Sequence, residues 1–352
     1  MLLKLNKLYF LYKKNIFILN LFLLLNFIQT KGQETKWHYL LQNNNLNEFV
    51  QLNGKANFTL INGVLIGTSK LNTPNSFLAT KTKYSNFILE FDVLIDNDLN
   101  SGVQFRSESL KNYSDGRVHG YQCEIETSSR KWAGGIYDEA RRGWLYPLSR
   151  NKTGQEAFIR GSWNKYRIEA IGNSIKTFVN SVEVSNLFDD MTQEGFIAFQ
   201  VHGISNPEQE GKQVRWKNIR ILVTDLERNR MIALNKAPHI SYLDGTLTQE
   251  EKRLGFRMLW DGKTTNGWRG AKMTTFPKKG WEIKDGILTV QASEGEESRN
   301  GGDIVTIESF RNFELSVDFL LSPGANSGIK YFVKTNLNKG EGSSIGLEFQ
   351  IL

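Results

Sequence analysis

The chain has 352 residues, 39% hydrophobic and 12% aromatic, which is enough apolar material for two cored domains. Its formal net charge of +7 is concentrated at one end: five lysines and no acid lie in the first 32 residues, leaving 39 basic against 37 acidic residues elsewhere. A balance that close gives no support to nucleic-acid binding, and the lone cysteine, Cys123, leaves no disulfide framework to build on.

Residues 1–32 read as a leader. Lys4, Lys7, Lys13 and Lys14 precede a thirteen-residue apolar run from Ile16 to Ile28, and the small residue Gly32 stands where cleavage is expected. The run is short for a membrane span and right for a secretory signal peptide. No cysteine follows it to carry a lipid anchor. The expectation is export to the periplasm or cell surface, with no stable membrane insertion after cleavage.

From 37 to 225 the sequence alternates at period two, the mark of half-buried strands. In Leu89-Glu90-Phe91-Asp92-Val93, Val103-Gln104-Phe105-Arg106, Tyr121-Gln122-Cys123-Glu124-Ile125-Glu126 and Phe199-Gln200-Val201-His202, apolar residues take one face. The other face carries Gln104, Arg106, Gln122, Glu124, Glu126, Gln200 and His202. These forked hydrogen-bonding groups suit the paired hydroxyls of a sugar or a carboxylate. Cys123, inside an alternating run, reads as a small buried apolar side chain. The alternation predicts that Gln104, Arg106, Gln122, Glu124 and His202 share one concave face. Between Glu126 and Pro147 it gives way to a loop holding Arg130, Trp132, Gly134-Gly135, Tyr137, Asp138, Glu139, Arg141, Arg142, Trp144 and Tyr146. Strand–turn–strand segments then close the domain, ending with Trp216-Lys217-Asn218-Ile219-Arg220-Ile221. With so little helical pattern, the fold class is all-β, an antiparallel two-sheet sandwich.

Residues 226–252 read as a linker in which Thr248-Gln249-Glu250-Glu251 has capping-box form and starts one short helix. Beyond it the chain repeats itself. Asn100-Ser101-Gly102-Val103 and Gly120 to Ile125 return as Asn326-Ser327-Gly328-Ile329 and Gly346 to Ile351, both at an offset of 226. Phe58 through Asn62-Gly63-Val64-Leu65 matches Trp281 through Asp285-Gly286-Ile287-Leu288 at an offset of 223. A period this long means a duplicated domain and not a solenoid. The second copy, 253–352, corresponds to the N-terminal half of the first, and nothing in it matches 127–225.

No nucleophile motif for serine or cysteine hydrolysis is present, and no phosphate-binding glycine loop has the required spacing. Asp96, Asp98 and Asn100 start like a calcium loop, but the glycine falls at 102 and Ser107 stands where a bidentate Glu belongs, so no metal site and no cofactor is called, with a divalent ion left open. Carboxylates remain: Glu124, Glu126, Asp138 and Glu139 can supply the pair that glycosidic cleavage uses, and the sequence does not say which. The same residues serve a carbohydrate-binding module as readily as an enzyme.

One further set of segments carries a resemblance. Leu259-Trp260-Asp261-Gly262-Lys263-Thr264 with Gly267-Trp268 leads into Trp281 to Leu288 and then Gly301-Gly302-Asp303-Ile304-Val305-Thr306. Phe313-Glu314-Leu315, Asn326 to Ile329 and Glu348-Phe349-Gln350-Ile351-Leu352 follow in that order. Together they resemble the 3-keto-disaccharide hydrolase domain, DUF1080, of the concanavalin A-like jelly-roll superfamily. The resemblance implies tandem jelly-roll β-sandwiches, the first diverged and the second incomplete, in an exported protein that acts on glycosides oxidised at C3. A 3-keto group acidifies the neighbouring C–H, so a base and a carbonyl-polarising group would suffice. On that basis the catalytic candidates are Glu124 or Asp138 as base and Arg106 or Arg142 as polarising group. Trp132 or Tyr137 would stack on the sugar, and Gln104, Gln122, Glu126, Glu139, His202, Lys330, Glu348 and Gln350 would bind it. Lys330 for Gln104, Phe332 for Arg106 and Gln350 for Glu124 indicate that the two copies do not share one substrate or mechanism. The alternative is a tandem lectin-like protein that binds carbohydrate without cleaving it.

Overall fold

The computed structural model describes residues 36–41, 45–291, 302–337 and 345–352. The leader read at 1–32 lies outside the described residues. The chain divides into two compact units, Met1–Tyr242 and Leu243–Leu352. Among the described residues no helix is long and apolar enough to cross a membrane.

In chain order the first unit has β1 (His38–Tyr39), β2 (Phe49–Asn53), β3 (Asn57–Ile61), β4 (Val64–Thr68), β5 (Ser76–Tyr84), β6 (Phe87–Ile95), β7 (Asn100–Glu108) and β8 (His119–Glu126). It continues with β9 (Ile136–Glu139), β10 (Gly143–Tyr146), β11 (Asn164–Ile171), β12 (Ser174–Val179), β13 (Val182–Phe188), β14 (Gly195–Val201), β15 (Gln213–Leu222) and β16 (Ile240–Ser241). They form two sheets. A seven-stranded sheet runs β10-β9-β8-β7-β14-β5-β2, and a nine-stranded sheet runs β16-β13-β12-β11-β6-β15-β4-β3 with β1 added on β15. The chain shuttles between sheets, so sequence neighbours such as β13 and β14 sit in different layers, as the jelly-roll expectation requires.

The inward residues of both sheets meet in one core. Phe91, Tyr166 and Trp216 of the nine-stranded sheet pack toward Phe105, Tyr121 and Phe199 of the other, with Phe91 and Trp216 at 6.4 and 5.4 Å from the Phe199 ring centroid. All six are at most 1% exposed. Truncating one such ring to alanine costs about 3–5 kcal/mol, so the alternation seen in the sequence is held by strong packing. Cys123 belongs to this core, where burial pushes its thiol well above the usual range.

Two details matter for the site. Arg106 has φ +46°, and the β7–β8 register shifts between Phe105 and Glu108, so β7 carries a bulge where the alternation ends. Residues 226–242 are also no free linker. β16 adds in parallel to β13, and the Pro238 carbonyl accepts the Tyr146 hydroxyl at 2.7 Å.

The second unit begins with the short helix Gln249–Arg253, capped by Thr248 and Glu251 in a reciprocal box. It is otherwise β: β17 (Trp268–Gly270), β18 (Trp281–Lys284), β19 (Ile287–Val290), β20 (Ile304–Thr306), β21 (Ser327–Lys334) and β22 (Ile345–Ile351), paired 17–20, 18–19 and 21–22. The repeat recurs in the backbone at the hairpin turn and at the bulged strand pair. Asn62-Gly63 (φ +49° and +76°) and Asp285-Gly286 (φ +51° and +76°) make the same left-handed hairpin turn. The β21–β22 register sets Lys330 opposite Glu348, as β7–β8 sets Gln104 opposite Gln122, and the bulge recurs with Phe332 at φ +54°.

Candidate active site

Period two places Gln104 of β7 and Gln122, Glu124 and Glu126 of β8 on the outer face of the seven-stranded sheet, because Val103, Phe105, Tyr121, Cys123 and Ile125 between them are core residues. Register sets Gln104 opposite Gln122, Gly102 opposite Glu124 and Asn100 opposite Glu126. A line of hydrogen bonds follows. Ser107 Oγ donates to Gln104 Oε1 at 2.7 Å, Gln104 Nε2 to Gln122 Oε1 at 2.7 Å, and Gln122 Nε2 to Glu124 Oε2 at 3.1 Å. Asn100 Nδ2 donates to Glu124 Oε1 at 2.5 Å. Gly102 makes this possible. A Cβ there would stand 2.4 Å from Gln122 Cδ, so only glycine lets that side chain lie across β7.

Glu124 is 3% exposed. Burial pushes its carboxyl up to about 7, against the Asn100 and Gln122 hydrogen bonds, which favour the anion. The Glu126 charge adds to the rise and Arg130 opposes it. A carboxyl balanced there can both take and return a proton at neutral pH. Among the described residues no group of three or more His, Cys, Asp or Glu is placed to hold a metal ion.

The sequence points to Arg106 and Arg142 as polarising partners, yet Arg130 is the arginine that reaches Glu124. Its Nη2 lies 3.5 Å from Glu124 Oε1 and 2.8 Å from Glu126 Oε2, with Nε also on Glu126 at 3.1 and 3.2 Å. Asn100 was missed too, although its recurrence as Asn326 in the repeated Asn-Ser-Gly block was a usable signal. The Trp132 amide and Ser128 hydroxyl complete the shell of Glu126 at 2.5 and 2.8 Å. Tyr137 lies opposite Gln122 and Trp144 opposite Tyr137, so both join this face, with ring centroids 5.2 Å apart. Glu139 lies opposite Gly120 and pairs with Arg117 at 3.1 Å.

Four of the expected residues are elsewhere. The bulge re-aims Arg106 into the end of the sandwich, where its guanidinium donates to the carbonyls of Ser85 and Gly172 at 2.6 and 2.8 Å and to Asn86 at 3.2 Å. It is fully buried, which lowers its pKa to about 10. Asp138 sits opposite Tyr121 and therefore on the inner side of the sheet, across the layer from Glu124. There it binds Arg141 at 2.7 Å and Arg142 at 2.6 Å, and Arg142 also holds Asp189 at 2.7 Å. Burial alone would push Arg142 down, but the Asp189 and Asp138 hydrogen bonds more than offset it and raise its pKa. These groups tie the rim together and do not face Glu124. His202 follows the last residue of β14 and is exposed, its Nδ1 at 2.7 Å from the Gly203 carbonyl oxygen. Trp132 is on the correct side, but Arg130 lies over its ring at 4.7 Å, where a sugar was expected to stack.

Lys330, Glu348 and Gln350 form a separate constellation in the second unit. Lys330 Nζ lies 3.8 Å from Glu348 and 3.6 Å from Asp303, while Gln350 donates to Asn326 and to the Ser327 carbonyl at 3.0 Å. Position for position, the amide and carboxylate of Gln122 and Glu124 have exchanged places. Two cavities lie away from both constellations. One of about 620 Å³ is lined by Gln51, Lys55, Lys70 and Glu210, and one of about 200 Å³ by Tyr39, Glu90, Lys165 and Arg220. The lysines of the first are solvated, and Glu90 in the second is already held by Arg167 and Arg220.

The chain is 38% identical over 96 residues to a 3-keto-disaccharide hydrolase of Bacteroides thetaiotaomicron, an alignment covering 27% of this chain and 33% of that protein, so it spans about a third of the relative's length. Solved structures with some likeness include the carbohydrate-binding module CBM66 of Bacillus subtilis, at 17% identity and TM-score 0.35 over 50% of this chain and 95% of that one. A Bacillus licheniformis β-glucanase matches at 11% identity and TM-score 0.35 over 55% and 100%. The sequence profile of one family covers residues 36–222 and 255–352, nearly the whole of both units. The chain therefore belongs to the family of the 3-keto-alpha-glucoside-1,2-lyase-like domain.

Proposed function

We propose that the first unit cleaves glycosides carrying a ketone at C3 of the sugar, with Glu124 as the proton-transferring group. The observation that supports it is a buried carboxyl poised near 7 on an amide-lined sheet face. The 3-oxo group acidifies the C2 proton. Glu124 takes that proton to leave an enolate, whose electron pair then forms the C1–C2 double bond as the C1–O bond breaks, and the departing oxygen receives a proton from the resulting acid. Water then adds across C1–C2 to give the free 3-keto sugar. Proton abstraction needs a single base, a role Glu124 can fill alone. Membership of the family, and the name of the Bacteroides thetaiotaomicron relative, support the same substrate class. The lysine-flanked leader supports export to the periplasm or cell surface, which N-terminal sequencing near Gln33 tests.

The experiment is to compare a 3-keto-disaccharide with its unoxidised parent in deuterated water. Turnover of the keto form alone, with deuterium at C2 of the product, is expected. Equal cleavage of both sugars, or cleavage that leaves C2 without deuterium, would contradict the elimination route. One observation favours the second reading, carbohydrate binding without cleavage: Asp138, the other carboxylate expected to act here, faces the opposite side of the sheet. Binding of both sugars with no turnover of either is its signature.

A further inference from the structure

We propose that Arg130 is the second catalytic residue, binding the substrate's 3-oxo oxygen through Nη1 while Glu124 removes the neighbouring proton. The inference rests on the reading of Glu124 given above. It follows from how the guanidinium is held. Glu126 grips one edge through Nε and Nη2, and the rings of Trp132 and Trp144 lie at 4.7 and 4.9 Å from Cζ. Glu126 is itself fixed by the Trp132 amide and the Ser128 hydroxyl. A planar group clamped on one edge and flanked by two indoles cannot swing, so its remaining donors keep one direction.

Those donors are unused. Nη1 makes no hydrogen bond to any described residue, and the side chain is 39% exposed. By contrast Arg106 and Arg142 spend their guanidinium groups on buried carbonyls and carboxylates, and Arg141 is held by Asp138 and Thr192 on the inner side of the sheet, away from Glu124. Arg130 is thus the cation placed both at Glu124 and at the surface. When the C2 proton moves to Glu124, negative charge develops on the 3-oxo oxygen of an enolate, and a preorganised cation at that oxygen lowers the barrier. Collapse of the enolate then expels the C1 oxygen, so the arginine neither gains nor loses a proton over the cycle.

The test uses the full chain with R130K, R130A and E124Q, each checked for a melting temperature close to wild type. For R130A, kcat on a 3-keto-glycoside should fall about 10²–10³-fold, the usual effect of removing one such donor, with KM changing far less. R130K should restore only part of it, because an ammonium cannot keep the forked grip on Glu126. Millimolar guanidinium should recover activity in R130A and not in E124Q. If R130A keeps kcat within threefold of wild type while E124Q is inactive, the role assigned to Arg130 is wrong and that of Glu124 stands. Loss of activity in R130A that guanidinium fails to recover also overturns it, pointing to a loop tie. Near wild-type turnover by E124Q refutes the Glu124 reading, whatever Arg130 does.

Discussion

A glutamate with an ordinary value of 4.5 that sits near 7 in the folded protein binds its proton more tightly there than in the unfolded chain. Its contribution to stability is therefore fully present below about pH 4.5 and is lost as pH rises toward 7, a total on the order of 3 kcal/mol. Glu124→Gln removes that loss. The variant should be more stable than wild type at pH 8, with the advantage shrinking toward pH 4, as read by urea unfolding at both values. An advantage that does not change with pH would place the cause elsewhere. Asp138 gives the opposite case. It is fully buried between Arg141 and Arg142, so Asp138→Asn breaks a buried pair and should cost roughly 3–5 kcal/mol, while kcat of the folded fraction stays within a few-fold. A large fall in kcat with unchanged stability would return Asp138 to the chemistry.

At the level of strands, alternation alone was enough to group Gln104, Gln122, Glu124 and Glu126, because core packing fixes register wherever one face is buried. It failed where the backbone departs from period two. The left-handed Arg106 turns its side chain off the face, and nothing in Phe105-Arg106-Ser107 signals that bulge. Asp138 was misplaced for another reason: the loop between β8 and β9 decides which residue faces Tyr121, and loop length does not reveal parity. Arg130 lay in plain view but was one of several arginines, and only folded geometry selects it. The tightest demand on the site belongs to Gly102. Gly102→Ala puts a methyl into Gln122 and should displace the side chain that donates to Glu124. Turnover should fall by more than tenfold with little change in melting temperature, and wild-type turnover would show that the amide line is dispensable.

Across the whole molecule, the duplicated pattern was legible because register, bulge and hairpin turn all recur with the repeated residues. The boundary was less so. Residues 226–242 looked loop-like, yet β16 and the Pro238 carbonyl bind them to the first sandwich. A chain ending at Tyr242 should unfold in one cooperative transition, and one ending at Asp225 should unfold at lower urea. Identical midpoints would mean that β16 adds nothing. The two units also differ in the residues at this position, since Gln350 stands where Glu124 does and Glu348 is engaged with Lys330. The most direct measurement is the rate at which the full-length Glu124→Gln chain turns over a 3-keto-glycoside, with binding followed in parallel. The account predicts a loss of about 10²–10⁴-fold in rate with binding retained. A rate near wild type would contradict it and move any chemistry away from the first unit's sheet face.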